Sequence, residues 1–230
     1  MTDGGTDMRR GWVAVLLLLG LSGCAISPTA NEPKPDDRAR CEGVLGTSAI
    51  TWLQRRRAQE ELRFGADLGV DAARDRILEE LGAWRPDSSP TDSFSADMCF
   101  VDGDGPGDYI LDYRTSHDPL ETVGAQTPRG TRAKVNADVV LTSDWIPPGA
   151  ESARPGEGIY RVYVACQAPQ AVPEQRTGVF LRGELTDTLT GETDPRVPYT
   201  HLLHSARVMV KALGCANEPV VPARPPASVR

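Results

Sequence analysis

Histidines, cysteines and clustered carboxylates are the side chains through which a chain of this size could do chemistry, and their spacing is the first thing to weigh. There are three histidines. His201 and His204 stand three residues apart and so share a helix face, while His117 is remote from both in sequence. A catalytic triad or a zinc centre needs one of them beside a nucleophile or a third ligand. Neither G-x-S-x-G nor H-E-x-x-H occurs. Ser205 adjoins His204, but neighbours on a helix point about 100° apart, so adjacency makes no dyad. Asp102, Asp104 and Asp108 surround Gly103, Gly105, Pro106 and Gly107, a run that offers three hard oxygen donors to a calcium ion. The EF-hand pattern breaks at its fifth position, Pro106, and at its twelfth, Tyr113, where a bidentate Glu belongs. A hairpin turn uses the same Asp and Gly composition without any metal. No phosphate loop and no dinucleotide fingerprint is present, so no cofactor is expected.

Cys24 stands apart from the other cysteines because of what precedes it. Arg9 and Arg10 form a cationic start, and residues 12–21 are mostly apolar, too few to span a hydrocarbon core that needs about 20. Leu21-Ser22-Gly23-Cys24 closes the run with small residues before the cysteine and a leucine three places ahead of it. This resembles the bacterial lipobox, in which the cysteine sulfur takes a diacylglyceryl group and the peptide ahead of it is removed. Each buried CH₂ of an acyl chain contributes about 0.8 kcal/mol, so the thioether at Cys24 is expected to anchor the chain to a bilayer. Arg9-Arg10-Gly11-Trp12-Val13 also fits the loose twin-arginine form, so both export routes stay open. Asp3 and Asp7 are out of place in a cationic start, which makes Met8 a second candidate initiator.

The remaining cysteines, Cys41, Cys99, Cys166 and Cys215, are even in number, as in an exported chain that forms disulfides. They allow three pairings, among which sequence alone does not choose. The working expectation is the sequential set, Cys41 with Cys99 and Cys166 with Cys215. A tetrathiolate zinc site lacks any C-x-x-C spacing. The formal net charge of −7 argues against nucleic acid or a polybasic lipid role as partner chemistry. Aromatic residues, at 6 %, are too few to favour stacking platforms.

Four segments follow from composition: a signal peptide over 1–23, a flexible tether over 24–40, a single α+β domain over 41–216, and a disordered proline-rich tail over 217–230. Within the domain, Ser48 is a candidate N-cap for a helix carrying Trp52, Leu53, Ala58 and Leu62, with Arg55-Arg56-Arg57 pairing to Glu60 and Glu61. Asp71 heads a second helix over 72–81, with Gly82 as its stop. The period then changes to two, and 94–101, 109–113, 133–141, 159–167 and 178–186 read as strands. Glycine and proline clusters at 103–107, 147–158 and 168–178 supply the connections. Leu202, Ala206, Met209 and Leu213 make the clearest helix stripe, stopped by Gly214. The expected architecture is therefore an antiparallel sheet of about five strands with helices packed on one face and two disulfides.

The cysteine spacing, the ending Leu202-Leu203-His204-Ser205 through Ala212-Leu213-Gly214-Cys215, and the strand Val162-Tyr163-Val164-Ala165-Cys166 together resemble small lipoproteins of actinobacteria. The resemblance covers about residues 41–216, and the only functional residue it carries over is the lipidated Cys24. It implies an extracytoplasmic chain anchored to the outer face of the cell membrane; lone histidines, no nucleophile context and no cofactor motif then make a non-catalytic binding or accessory module of the cell envelope the first expectation. The alternative is a secreted hydrolase whose site is assembled only in three dimensions, with His117 or His201 as its base. Replacing Cys24 by Ala should release the chain from membranes or leave it unprocessed, read by fractionation and by the mass of its N-terminal peptide.

Overall fold

A computed structural model describes residues 37–87, 94–124, 130–145 and 158–229, the side chains at 130 and 145 excepted. The lipobox, Cys24, the signal peptide and most of the tether lie outside these residues, as do parts of the loops at 85–93 and 147–158. Chain order is α1 (Asp37–Leu45), α2 (Thr47–Arg56), β1 (Arg63–Gly65), α3 (Val70–Ala83), β2 (Ser95–Asp102), β3 (Asp108–Ser116), β4 (Gly130–Lys134), β5 (Val139–Trp145), β6 (Gly158–Val164), α4 (Gln175–Gly178), β7 (Phe180–Asp187) and α5 (Arg196–Leu213). The strands form one antiparallel sheet of seven, ordered β1-β2-β3-β7-β6-β5-β4.

Seven strands replace the expected five for two physical reasons. The segment 133–141 is not one strand but the turn of the β4–β5 hairpin with its flanks. Val135 N–H donates to Val139 O at 3.0 Å, and Asp138 N–H donates to the Asn136 side-chain oxygen at 2.9 Å. Alternation of Val135, Ala137, Val139 and Leu141 runs unbroken through this turn, because Asn136 and Asp138 are at once turn formers and residues that read as solvent-facing strand positions. The second addition, β1, has three residues, too few to show a period.

Helix α5 behaves as its stripe predicts. Leu202, Leu203, Ala206, Met209 and Leu213 are buried, and Gly214 ends the helix in the left-handed region at φ 60° with its N–H on Val210 O. It meets the sheet through aromatic hydroxyls: Tyr109 reaches His201 Nδ1 at 2.8 Å, and Tyr113 and Ser205 Oγ share a hydrogen bond of 2.7 Å. Tyr199 packs edge to face on Tyr160 and hydrogen-bonds Ser143 and Thr131. Helix α3 runs from Val70 through Gly82 to Ala83, so that glycine does not stop it. Its Glu80 accepts from Thr115 Oγ1 at 2.8 Å and from Phe94 N–H at 2.7 Å.

Both ends of the domain are longer than expected. Helix α1 starts at Asp37, inside the predicted tether, because Cys41 is bonded to Cys99 of β2 and Val44 and Leu45 are buried beside it. The proline-rich run after Cys215 is ordered, contrary to the expected tail. Ala216 N–H donates to Gln167 O, and the Asn217 side chain accepts from Gln167 N–H and donates to Ala165 O. The Asn136 amide holds Val220 O, and Val221 and Val229 are buried. Composition predicts disorder from prolines and few apolar residues, but side-chain amides here supply the partners that a sheet neighbour would otherwise provide.

The second disulfide, Cys166–Cys215, ties the exit of β6 to the exit of α5. Loops of 58 and 49 residues are closed by the two bridges, each of which the chain-entropy model values at about 4 kcal/mol. Buried Gln175 completes this corner: its amide nitrogen donates to Cys166 O and Val179 O, and its oxygen accepts from Ala168 N–H. Gln175→Met keeps the volume and strands three buried backbone groups. It should lower unfolding free energy by about 2 to 4 kcal/mol in urea, whereas Glu174→Met at the exposed neighbour should cost almost nothing.

Candidate functional site: a charged array on the sheet

The residues that sequence nominates for chemistry are drawn into structure instead. His201 is buried between Trp52, 5.1 Å away edge to face, and Tyr109, and burial pushes its pKa down to about 4. It is a neutral core residue at pH 7, its Nδ1 held by Tyr109. His204 is half-buried one turn on, against Gly46 at the α1–α2 corner and 3.4 Å from Arg207; burial and that cation both lower its pKa. Ser205 is taken by Tyr113 and by Leu202 O. His117 follows β3 directly.

In the Asp102 loop a guanidinium occupies the position a cation would take. Arg63 donates to Asp102 at 2.7 Å, to Asp104 at 3.4 Å and to Gly103 O at 2.8 Å. Asp108 sits in the first pair of β3, and its N–H donates to Thr188 Oγ1. The loop turns at Gly107, φ 111°, where a Cβ would lie 2.2 Å from Thr188 O. Arg57 pairs with Glu60, and Arg56 lies 3.7 Å from Glu192, so two of the three consecutive arginines are neutralised locally. Among the described residues no group of three or more His, Cys, Asp or Glu could hold a metal ion. A groove of about 310 Å³ is lined by Arg76, Glu79, Glu80, Ala83 and Phe94, with no histidine in it.

The arrangement with chemical potential lies on the central strands. Tyr109, Leu111, Tyr113 and Thr115 alternate with Asp112 and Arg114 along β3, so the charged residues face away from the side that meets α5. Register sets like signs side by side on β2, β3 and β7. Asp97 is opposite Asp112, and Asp112 opposite Glu184, which is opposite Arg161. One step along, Arg114 is opposite Arg182. Like charges directly across a ladder repel, and the side chains respond by finding counter-ions two residues along their own strand, directly across, or on the diagonal. Glu184 takes Arg182 and Arg161, with Arg114 at 3.8 Å; Arg161 also takes Asp144; and Asp112 has Arg114 at 3.4 Å.

The two central carboxylates end with opposite electrostatics. Burial and the charge of Glu184 push Asp112 up to about 6 against the weaker pull of Arg114 and Arg182. Burial also opposes ionisation of Glu184, but Arg161 and Arg182 outweigh it and hold its carboxyl below the usual range. Among the described residues, Arg114 Nε and Arg182 Nε are buried and make no hydrogen bond, although Arg114 Nε is the atom that lies 3.4 Å from Asp112. Sequence reading misses this array because its members, Asp112, Arg114, Arg161, Arg182 and Glu184, are ordinary outward strand positions until register sets them side by side. The only available signal is charge at alternate positions, Asp-x-Arg in β3 and Arg-x-Glu in β7.

Comparison with protein-family models, with curated proteins and with solved structures returns no match to the chain. Its chemistry therefore has to be read from the array itself.

The array makes a signed prediction for acid stability. Asp112 has a folded pKa of about 6 against an ordinary value of 3.8, so as pH falls from 6 to 3.8 the fold binds its proton first and gains stability. His201 is opposite in sign, since its folded value of about 4 lies below 6.5 and the unfolded chain is protonated first as pH falls. Each shift corresponds to about 3 kcal/mol, and over this window the two offset. Asp112→Asn removes only the gain, so the stability of wild type relative to the variant should grow by about 3 kcal/mol between pH 6.5 and 3.5 in denaturant titrations. A constant difference across that range would refute the environment assigned to Asp112.

Proposed function

We propose that the chain is an exported lipoprotein, anchored through Cys24 to the outer face of the cell membrane, and that it acts there as a non-catalytic binding or accessory module. In this reading helices cover one face of the sheet and the charged array on the other receives the partner. The two disulfides support an oxidising compartment. Among the described residues no helix is long and apolar enough to cross a membrane. The observation that carries the binding role is the pair of like-signed rows at the centre of a wide sheet. Half-buried charge of this density costs stability, and a complementary partner would relieve it.

A hydrolase remains the second reading, on one observation. Asp112 and Glu184 are directly opposite, with protonation equilibria driven apart, the pattern that separates a general acid from an ionised partner. Against it stands the engagement of both Glu184 oxygens by arginines: Oε1 lies 3.8 Å from Arg114, and Oε2 accepts from Arg161 and Arg182.

Photocrosslinking on intact cells separates these readings. A photoreactive side chain at exposed position 97, beside the array, should give discrete adducts of the full-length lipoprotein, and one at exposed position 71 on α3 should not. Equal yields at both positions would overturn the binding face. Loss of an ester- or glycoside-cleaving activity on Glu184→Gln, with adducts absent, would favour the hydrolase.

A further inference from the structure

We propose that the free edge of β4 is a docking strand for an extended acidic segment of a partner protein, which adds to the sheet as a further strand. The inference does not depend on the charged face; it rests on how differently the two edges of the sheet are finished. At one edge β1 has three residues and packs beside α1, whose Cys41 Sγ lies 3.5 Å from Gly65 O. At the other, β4 has five residues, with Thr131, Arg132 and Lys134 exposed and neither a proline nor a bulge to blunt it. Two hydrogen bonds set the direction of its main chain. Val135 N–H donates to Val139 O at 3.0 Å, so positions 131, 133 and 135 turn their amides towards β5. Ala165 N–H donates to Asp138 O at 2.8 Å, so the even positions of β5 turn theirs towards β6. Arg132 and Lys134, opposite Thr142 and Val140, therefore point both N–H and C=O off the sheet. Among the described residues neither has a main-chain partner there.

Charge identifies the occupant. Arg132 and Lys134 share a face of the strand, two residues and about 7 Å apart. Arg132 gives one guanidinium nitrogen to Leu120 O at 2.6 Å, and among the described residues neither cation has a carboxylate in ion-pair range. In the interior of the sheet Arg114, Arg161 and Arg182 all meet carboxylates of their own chain. An incoming strand places every second side chain on the face of Arg132 and Lys134. Carboxylates at those alternate positions stand opposite the two cations, while the strand's main chain takes the outward N–H and C=O groups. A second copy does not fit the same edge. Antiparallel pairing over all five residues sets the two Arg132 side chains directly against each other, and the register one step on sets Arg132 against Lys134. The cations that discourage self-pairing are the ones that favour an acidic strand.

Fluorescence anisotropy with the full-length protein in non-ionic detergent tests the idea, the probe being a short labelled peptide of alternating threonine and glutamate. It should bind at sub-millimolar concentration and slow amide hydrogen exchange of segment 130–134 by about tenfold or more. The same peptide with lysine in place of glutamate should not bind, and Lys134→Glu should weaken the glutamate peptide by about tenfold or more. N-methylation of the glutamate amides, which face β4, should abolish binding; N-methylation of the threonine amides, which face solvent, should leave it. Lys134→Gln removes the charge alone and Lys134→Pro the outward N–H as well, so the proline variant should bind more weakly of the two. Circular dichroism confirms folding of each variant; if Lys134→Pro does not fold, the two methylated peptides decide. No binding at millimolar peptide, or binding that both methylation patterns leave unchanged, overturns the inference. So does a wild type that is dimeric in sedimentation velocity and monomeric as Lys134→Pro, since the edge would then belong to a second copy.

Discussion

The seating of α5 on the tyrosine row of β3 is the contact on which the rest of the molecule depends. Tyr109 and Tyr113 are four residues apart on the strand, His201 and Ser205 four apart on the helix, and both hydroxyls are satisfied in a fully buried layer. A buried tyrosine hydroxyl without a partner would cost about 1 to 3 kcal/mol, so the two hydrogen bonds fix which helical face meets the sheet as well as how strongly. That choice has an electrostatic consequence. Once the odd positions of β3 are committed to α5, the even ones, Asp112 and Arg114, must lie on the other side.

Two disulfides secure the layers at different places, and the difference matters. Cys41–Cys99 fastens the first helix to β2, near one edge of the sheet, while Cys166–Cys215 joins the exits of β6 and α5. Between them β3 and β7 carry the longest described register, eight consecutive pairs. A wide antiparallel sheet twists, and side chains at its centre are the ones whose relative positions are best defined. The charged array is placed where the backbone allows it least freedom, so its like-charged pairs cannot drift apart and are neutralised by neighbours along and across the strands.

Element type was legible where the pattern was long. The α5 stripe and its Gly214 stop, the alternation in β6 and the pairing parity of the cysteines all follow from residues alone. What failed did so where local chemistry is ambiguous. Asn136 and Asp138 serve equally as solvent-facing strand residues and as turn formers, so one strand became two. Prolines after Cys215 signal a chain without sheet partners, yet Asn217 and Asn136 anchor that chain through side-chain amides no composition measure weighs. His201 looked available on a helix face because the sequence does not say which face meets Trp52. The site was least legible of all, since it is a property of register: Asp112 and Glu184 are 72 positions apart and become neighbours only when β3 and β7 pair.

The array also explains why the fold keeps so much charge at its centre. Apolar residues at positions 112, 114, 182 and 184 would give a more stable isolated sheet, because buried ion pairs seldom outweigh their desolvation. They would also leave a flat apolar face several strands wide, which invites indiscriminate association. Alternating rows of opposite sign avoid that outcome, because each charge finds its counter-ion on its own or a neighbouring strand. The raised pKa of Asp112, and the Nε atoms of Arg114 and Arg182 that make no hydrogen bond among the described residues, are the residual cost of that arrangement. Specificity obtained in this way is set by register rather than by any one residue, and a sheet face carrying it discriminates by geometry before it discriminates by affinity.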